Sequence, residues 1–221
     1  MSNISEVKIS GHVQELVANP SPLGLLGLAI VTLVASSAKL GFTESTAFII
    51  PWAFFLGACA QFTAGLMDYK HNNTFGATAF CGYGLFWFAM AMSWMIASGM
   101  IGNGTVSCDI HQMGFAFLGY FIFTVYMTVG AMGANKVLFI IFFLIDLLFL
   151  GLFMSTLEWG EESWHTLAAF SELGIAILSF YGSAATVLNS HYGFNALPVG
   201  APFGSLSRAA QAVKSAHDLS A

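Results

Sequence analysis

Residues 137–145 read Val137-Leu138-Phe139-Ile140-Ile141-Phe142-Phe143-Leu144-Ile145, and they decide the fold class. No side chain in that run can hydrogen-bond to water, so the run cannot face solvent. Continued to residue 157, it is long enough at 1.5 Å per residue to cross the roughly 30 Å hydrocarbon core of a bilayer. Working outward, similar apolar stretches cover residues 22–40, 47–67, 76–101, 113–134 and 166–190. Charged residues make up 8% of the chain and apolar ones 57%, against about 25% charged in an average soluble domain. A mean hydropathy of +0.77 agrees. The reading is an all-α polytopic membrane protein with six transmembrane helices embedded in the lipid bilayer. Residues 1–18 form an N-terminal segment and 19–191 the transmembrane domain. Residues 192–221 form a tail, irregular at first and then weakly helical, which is expected to be solvent-exposed.

Several function classes fall away on composition. The formal net charge is −5 with no basic patch, so no nucleic-acid partner is expected. Cys59, Cys81 and Cys108 lack the paired spacing of a metal or redox site. His12, His71, His111, His165, His191 and His217 all lie at span ends or outside spans, where they could neither ligate a haem nor serve a buried serine. No metal, cofactor or enzymatic activity is expected. Glu6, Lys8 and Glu15 interrupt the first residues, so no cleaved secretory signal is expected either.

Basic residues near span ends stay on the cytoplasmic side. Lys8, Lys70, Lys136, Arg208 and Lys214 share one side of the six-span arrangement and Lys39 falls on the other, which predicts both termini in the cytoplasm. Trp52, Trp159 and Trp164 sit at outer span ends, as interfacial anchors would.

The polar residues among the spans are few enough to take singly. The first span opens Asn19-Pro20-Ser21-Pro22, with prolines where a missing amide donor costs least. Asn19 and Ser21 ahead of free backbone amides can attract an anion, or can simply cap the helix. Asn73 and Asn135 precede the third and fifth spans in the same way, a pattern that fits a threefold helical hairpin or three ordinary caps. In the second span Ala53, Gly57, Gln61 and Gly65 share one helix face. The Gln61 amide there must meet either a neighbouring helix or a water-filled path. Asn73-Thr74-Phe75-Gly76 opens the third span, and Gly82 and Gly84 flank Tyr83, which could gate a pathway or merely pack. Asp146 lies mid-span, where a charge costs about 2.5–3.5 kcal/mol or more, so it is neutral, paired or wet. It could carry a proton or glue two helices; Glu172, nearer the outer surface, poses the same question.

Three stretches carry a resemblance: Asn19-Pro20-Ser21-Pro22-Leu23-Gly24-Leu25, Ala60 to Leu66 followed by Tyr69-Lys70 and Asn73-Thr74-Phe75-Gly76, and Tyr83-Gly84-Leu85-Phe86-Trp87. In order and spacing they are similar to the acetate uptake transporter family, also called the acetate and succinate transporter family, with Ser21 standing where the family usually has Ala. The resemblance implies a homo-hexamer of six-helix protomers in the cytoplasmic (inner) membrane. Each protomer would have its own path for acetate and similar small carboxylates, sometimes succinate, by a channel-like or proton-coupled mechanism. It also implies a narrow point formed by Leu28, Tyr83 and Ile145. Substrate-path residues are then expected at Asn19, Ser21, Gln61, Asn73, Thr74 and Tyr83, with Asp146 a candidate proton carrier on chemistry alone. The rival within transport is a channel for a neutral solute such as urea; outside transport it is a membrane sensor or scaffold.

Overall fold

The structure, a computed structural model, describes residues 18–102 and 107–204. Lys8, Arg208 and Lys214, the N-terminal segment to residue 17 and the late tail lie outside the described residues. Among the described residues, six helices are long and apolar enough to cross a membrane: α1 Ser21–Lys39, α2 Ile49–Lys70, α3 Thr74–Ala97, α4 His111–Ala131, α5 Lys136–Thr156 and α6 Glu161–Tyr192. The expected spans are thus met with shifts at their ends. Two extensions follow from polar residues that still continue a helix, α2 running on to Lys70 and α6 beginning at Glu161, while α3 stops at Ala97, short of residue 101.

Asn73 and Asn135 are N-caps, whereas Asn19 stands one residue before the cap, Pro20, and closes a turn. Asn73 accepts the Gly76 N–H at 3.1 Å and Asn135 the Leu138 N–H at 2.9 Å, while Asn19 accepts the Ser21 N–H at 3.0 Å. Short connections make sequential helices antiparallel. The packing order around the bundle is α3–α2–α1–α6–α5–α4. α3 and α4, which close the ring, meet chiefly through aromatic side chains rather than by close backbone approach: Tyr120 donates to the Gly82 carbonyl at 3.0 Å, and Phe86 stacks edge-on to Tyr120 at 4.9 Å.

Within α2, residues 53–60 widen into a π-helical segment. Here the small residues of α1 and α3 let backbones touch. A Cβ on Gly27 would strike the Leu56 carbonyl, and one on Gly84 would come within 2.8 Å of the Phe62 nitrogen. Interfaces of this kind rest on van der Waals packing, because lipid supplies no hydrophobic drive between helices. The shared face expected for Ala53, Gly57, Gln61 and Gly65 is buried throughout.

The bundle has two unlike ends. Lys70 and Lys136 mark one; Lys39, Trp52 and Trp159 mark the other, here called the far end. The first part of the tail is more tied down than expected. The Val137 N–H donates to the Val199 carbonyl at 3.1 Å, Phe203 N–H to Met132 at 3.0 Å, and the Tyr181 hydroxyl to Pro198 at 2.7 Å. Residues 193–203 therefore strap the Lys136 end, although Tyr192 and Phe194 remain exposed.

Candidate transport cavity

A cavity of about 220 Å³ opens at the Lys136 end inside the ring, lined by α1, α2, α3, α5 and α6. Its mouth carries Asn19, Ser21, Asn73 and Asn135, the starts of α1, α3 and α5. Ten residues further along α3 and α5, about 15 Å at 1.5 Å per residue, stand Tyr83 and Ile145. They form its inner wall with Leu28, and the three are 4%, 3% and 7% exposed respectively. Gln61 reaches this depth from α2.

The donor geometry at the mouth follows from the caps and the Asn19 turn. Each asparagine oxygen is occupied by a backbone N–H, so what each side chain has left is its NH2 group. Three neutral donors thus ring the opening. The backbone amides expected to be free at the start of α1 are in use. Ser21 N–H goes to Asn19, Pro22 has none, and Leu23 and Gly24 donate to the Pro20 carbonyl at 3.1 and 3.3 Å. The free backbone donors expected of that helix end are therefore not available there, and the polar groups left at it are side chains.

Gln61 is fully buried, and both its Nε2 and its Oε1 lack a hydrogen-bond partner. Leaving a buried polar atom unpaired costs about 1–3 kcal/mol. Of the two readings of Gln61, the helix-to-helix hydrogen bond is not made; the residue lines the cavity, with its amide atoms enclosed.

Tyr83 does not offer its hydroxyl proton to the path. Thr124 donates to the Tyr120 carbonyl at 2.7 Å, so its Oγ1 accepts from Tyr83 Oη at 2.9 Å. That bond pins the ring against α4, and what Tyr83 presents to the cavity is an aromatic wall. Behind it an apolar plug fills the bundle toward the far end. Tyr83 lies 6.4 Å from Phe149, which stacks on Tyr120 at 5.5 Å and meets Phe86 edge-on at 5.1 Å.

Two expected site residues lie elsewhere. Thr74 is exposed and is not part of the lining, since the residue after a cap points outward. Asp146 sits in the α4–α5 seam, where Thr128 donates to its Oδ2 at 2.6 Å and its Oδ1 has no partner; it is likewise outside the lining. Glu172 pairs with Lys39 at 2.9 Å across α1 and α6 at the far end.

The model of the GPR1/FUN34/yaaH family matches residues 5–202. The chain belongs to that family. Among its curated relatives, the succinate-acetate/proton symporter SatP of Escherichia coli is 31% identical over 83% of this chain and 96% of its own length. Acetate permease A of Emericella nidulans is 31% identical over 82% of this chain and 65% of its own. The solved structure of the bacterial acetate channel SatP superposes with a TM-score of 0.78 at 30% identity, covering 84% of this chain and all of that one.

Sequence reasoning assigned Asn135 to capping alone, although it lines the mouth of the cavity. Apolar stretches over 47–67 and 76–101 place Asp68 in a connection. The residue is in fact in the last turns of α2, 2% exposed, with its Oδ2 unpartnered. The signal that could have found it was the spacing Gln61, Gly65, Asp68, which continues the buried face of α2.

Proposed function

We propose that this member of the family transports acetate and related small monocarboxylates, and succinate more narrowly, through the cavity of each protomer across the cytoplasmic membrane. The observation that carries this reading is the unpartnered Gln61 amide beneath a mouth of three NH2 groups. A carboxylic acid satisfies both ends of such an amide at once. Its carbonyl accepts from Nε2 and its O–H donates to Oε1, a pairing that the carboxylate anion cannot complete.

Among the described residues the lining contains no Lys, Arg, Asp or Glu. An anion moving from the mouth toward Leu28, Tyr83 and Ile145 would shed water with no counter-charge, which is costly in an apolar setting. The amides gather the substrate at the mouth, and the neutral acid is the form that passes the constriction. With a carboxyl pKa of roughly 4, the neutral fraction falls about tenfold for each pH unit above it. Inward flux of labelled acetate into proteoliposomes therefore rises as the outside is acidified from about pH 7.5 to about pH 5; equal rates would overturn the mechanism. The uncharged lining also suits a neutral solute such as urea, and this second reading wins if acetate fails to compete with labelled urea.

The resemblance supports a homo-hexamer, testable by native mass spectrometry of the detergent-solubilised protein. Lys70 and Lys136 flank the mouth while Lys39 is at the far end, which supports a cytoplasmic mouth and cytoplasmic termini. Cys108 is exposed in the far-end connection before α4. A membrane-impermeant thiol reagent applied to intact cells labels it in this topology and leaves it untouched in the inverse one.

A further inference from the structure

Asp68 is the buried acid nearest the mouth, and it is not used by anything described so far. Its backbone carbonyl accepts the Asn73 N–H at 3.0 Å across the turn between α2 and α3. Its carboxylate and the Asn73 side-chain nitrogen converge over the Gly76 Cα, where a Cβ would collide with both. Asn73 Oδ1, meanwhile, accepts the Gly76 N–H at 3.1 Å. Two requirements thus fix the amide: Gly76 needs an acceptor, and Asp68 needs a donor. Were the amide flipped, an oxygen would face a carboxylate and the Gly76 N–H would face an NH2.

We propose that Asp68 is a positioning residue for substrate capture, holding the Asn73 amide so that one N–H faces the carboxylate and the other faces the cavity mouth. Gly76 leaves the room this needs. The turn is anchored further where His71 Nε2 lies 3.0 Å from the Ala18 carbonyl, next to Asn19, so the donors of α1 and α3 are set together. Asp68 is 2% exposed and its Oδ2 has no hydrogen-bond partner within reach other than the Asn73 amide nitrogen that converges with it over Gly76. The inference rests on the carboxylate-transport reading and deepens it.

The test is labelled acetate uptake by proteoliposomes containing wild type, Asp68→Asn, Asp68→Ala, Asp68→Glu, Asn73→Ala and Asp68→Ala/Asn73→Ala. Losing one oriented donor to substrate raises KM by roughly 3- to 10-fold. Asp68→Ala and Asn73→Ala each do so with the maximal rate per folded protein nearly unchanged, the double variant is no worse than Asn73→Ala alone, and Asp68→Glu recovers most of the affinity. Asp68→Asn is isosteric, survives where Asp68→Ala does not fold, and raises KM because a neutral amide oxygen holds the Asn73 N–H less firmly than a carboxylate does. The inference is overturned by additive effects in the double variant, by an Asp68→Asn protein with wild-type KM, or by a loss confined to the maximal rate. Wild-type protein that takes up no acetate overturns the transport reading itself.

Discussion

The two ends of this bundle solve opposite problems with different chemistry. At the mouth, polar groups are numerous, uncharged and incompletely paired: three asparagine NH2 groups and a Gln61 amide with neither atom satisfied. At the far end the polar group buried between helices is charged and paired, with Lys39 and Glu172 joined at 2.9 Å between α1 and α6 above an aromatic plug. Unpaired amides are poor glue and good receptors; a buried ion pair between helices is the reverse. The contrast predicts that substitutions at the two ends move stability and transport in different directions.

The largest effect belongs to the far end. Glu172 is 2% exposed, and removing its partner leaves a buried carboxylate unpaired. Breaking a buried pair costs about 3–5 kcal/mol, and Lys39, whose side chain is 20% exposed, puts this one near the lower figure. Lys39→Met should sharply lower the unfolding temperature in detergent, and Lys39→Met with Glu172→Met should restore most of it. A single variant as stable as wild type would mean the pair is not buried in the assembled protein.

Gln61→Leu should do the opposite. It removes two unpaired polar atoms at nearly constant volume, so the folded protein gains about 1–2 kcal/mol by the usual cost of such groups. Acetate uptake should fall by an order of magnitude or more as the acid loses both its partners. A variant that loses transport and stability together would mark Gln61 as a packing residue. Smaller again is Tyr83→Phe, which deletes the bond to Thr124 and costs about 1 kcal/mol. Because the hydroxyl proton faces α4 and not the cavity, acetate affinity should be unchanged, and a raised KM would show that the hydroxyl touches substrate.

How much of this was legible in the sequence depended on range. Span number and the two caps depend on neighbours within a turn or two, and the chain states them. The buried face of α2 follows from helical period alone. The Lys39–Glu172 pair links residues 133 positions apart, which no local pattern reveals. Whether Asp146 looks into the cavity or into the α4–α5 seam depends on how α5 is rotated in the bundle. An all-apolar helix such as 137–145 gives no hydrophobic face from which to read that. Asp68 was misplaced for a related reason, since a hydropathy reading ends a span at the first cluster of polar residues even where the helix continues. The tail strap depends on backbone hydrogen bonds, to which sequence patterns are blind.

The smallest prediction concerns how each end caps its helices. The mouth uses Asn73 and Asn135, whose amides do not titrate. The far end opens α4 with Asp109, which accepts from the His111 backbone N–H at 3.0 Å and from its ring Nδ1 at 2.9 Å. Those two hydrogen bonds, the backbone one first, hold the exposed Asp109 carboxyl below its usual range, helped by the positive end of the helix dipole. A depressed carboxylate stabilises the fold above its unfolded pKa, roughly 3.9, and that contribution is lost as pH falls through the lower folded value. Asp109→Ala should therefore speed amide exchange over the first turn of α4 at neutral pH and leave acetate uptake unchanged. Wild type should acquire the same fast exchange only below about pH 4, with the first turns of α3 and α5 protected throughout. Faster exchange at the start of α3 on acidification would mean that the mouth is also held by a titrating group. Its amide caps would then not account for a site that stays formed in the acid conditions where the neutral substrate is most abundant.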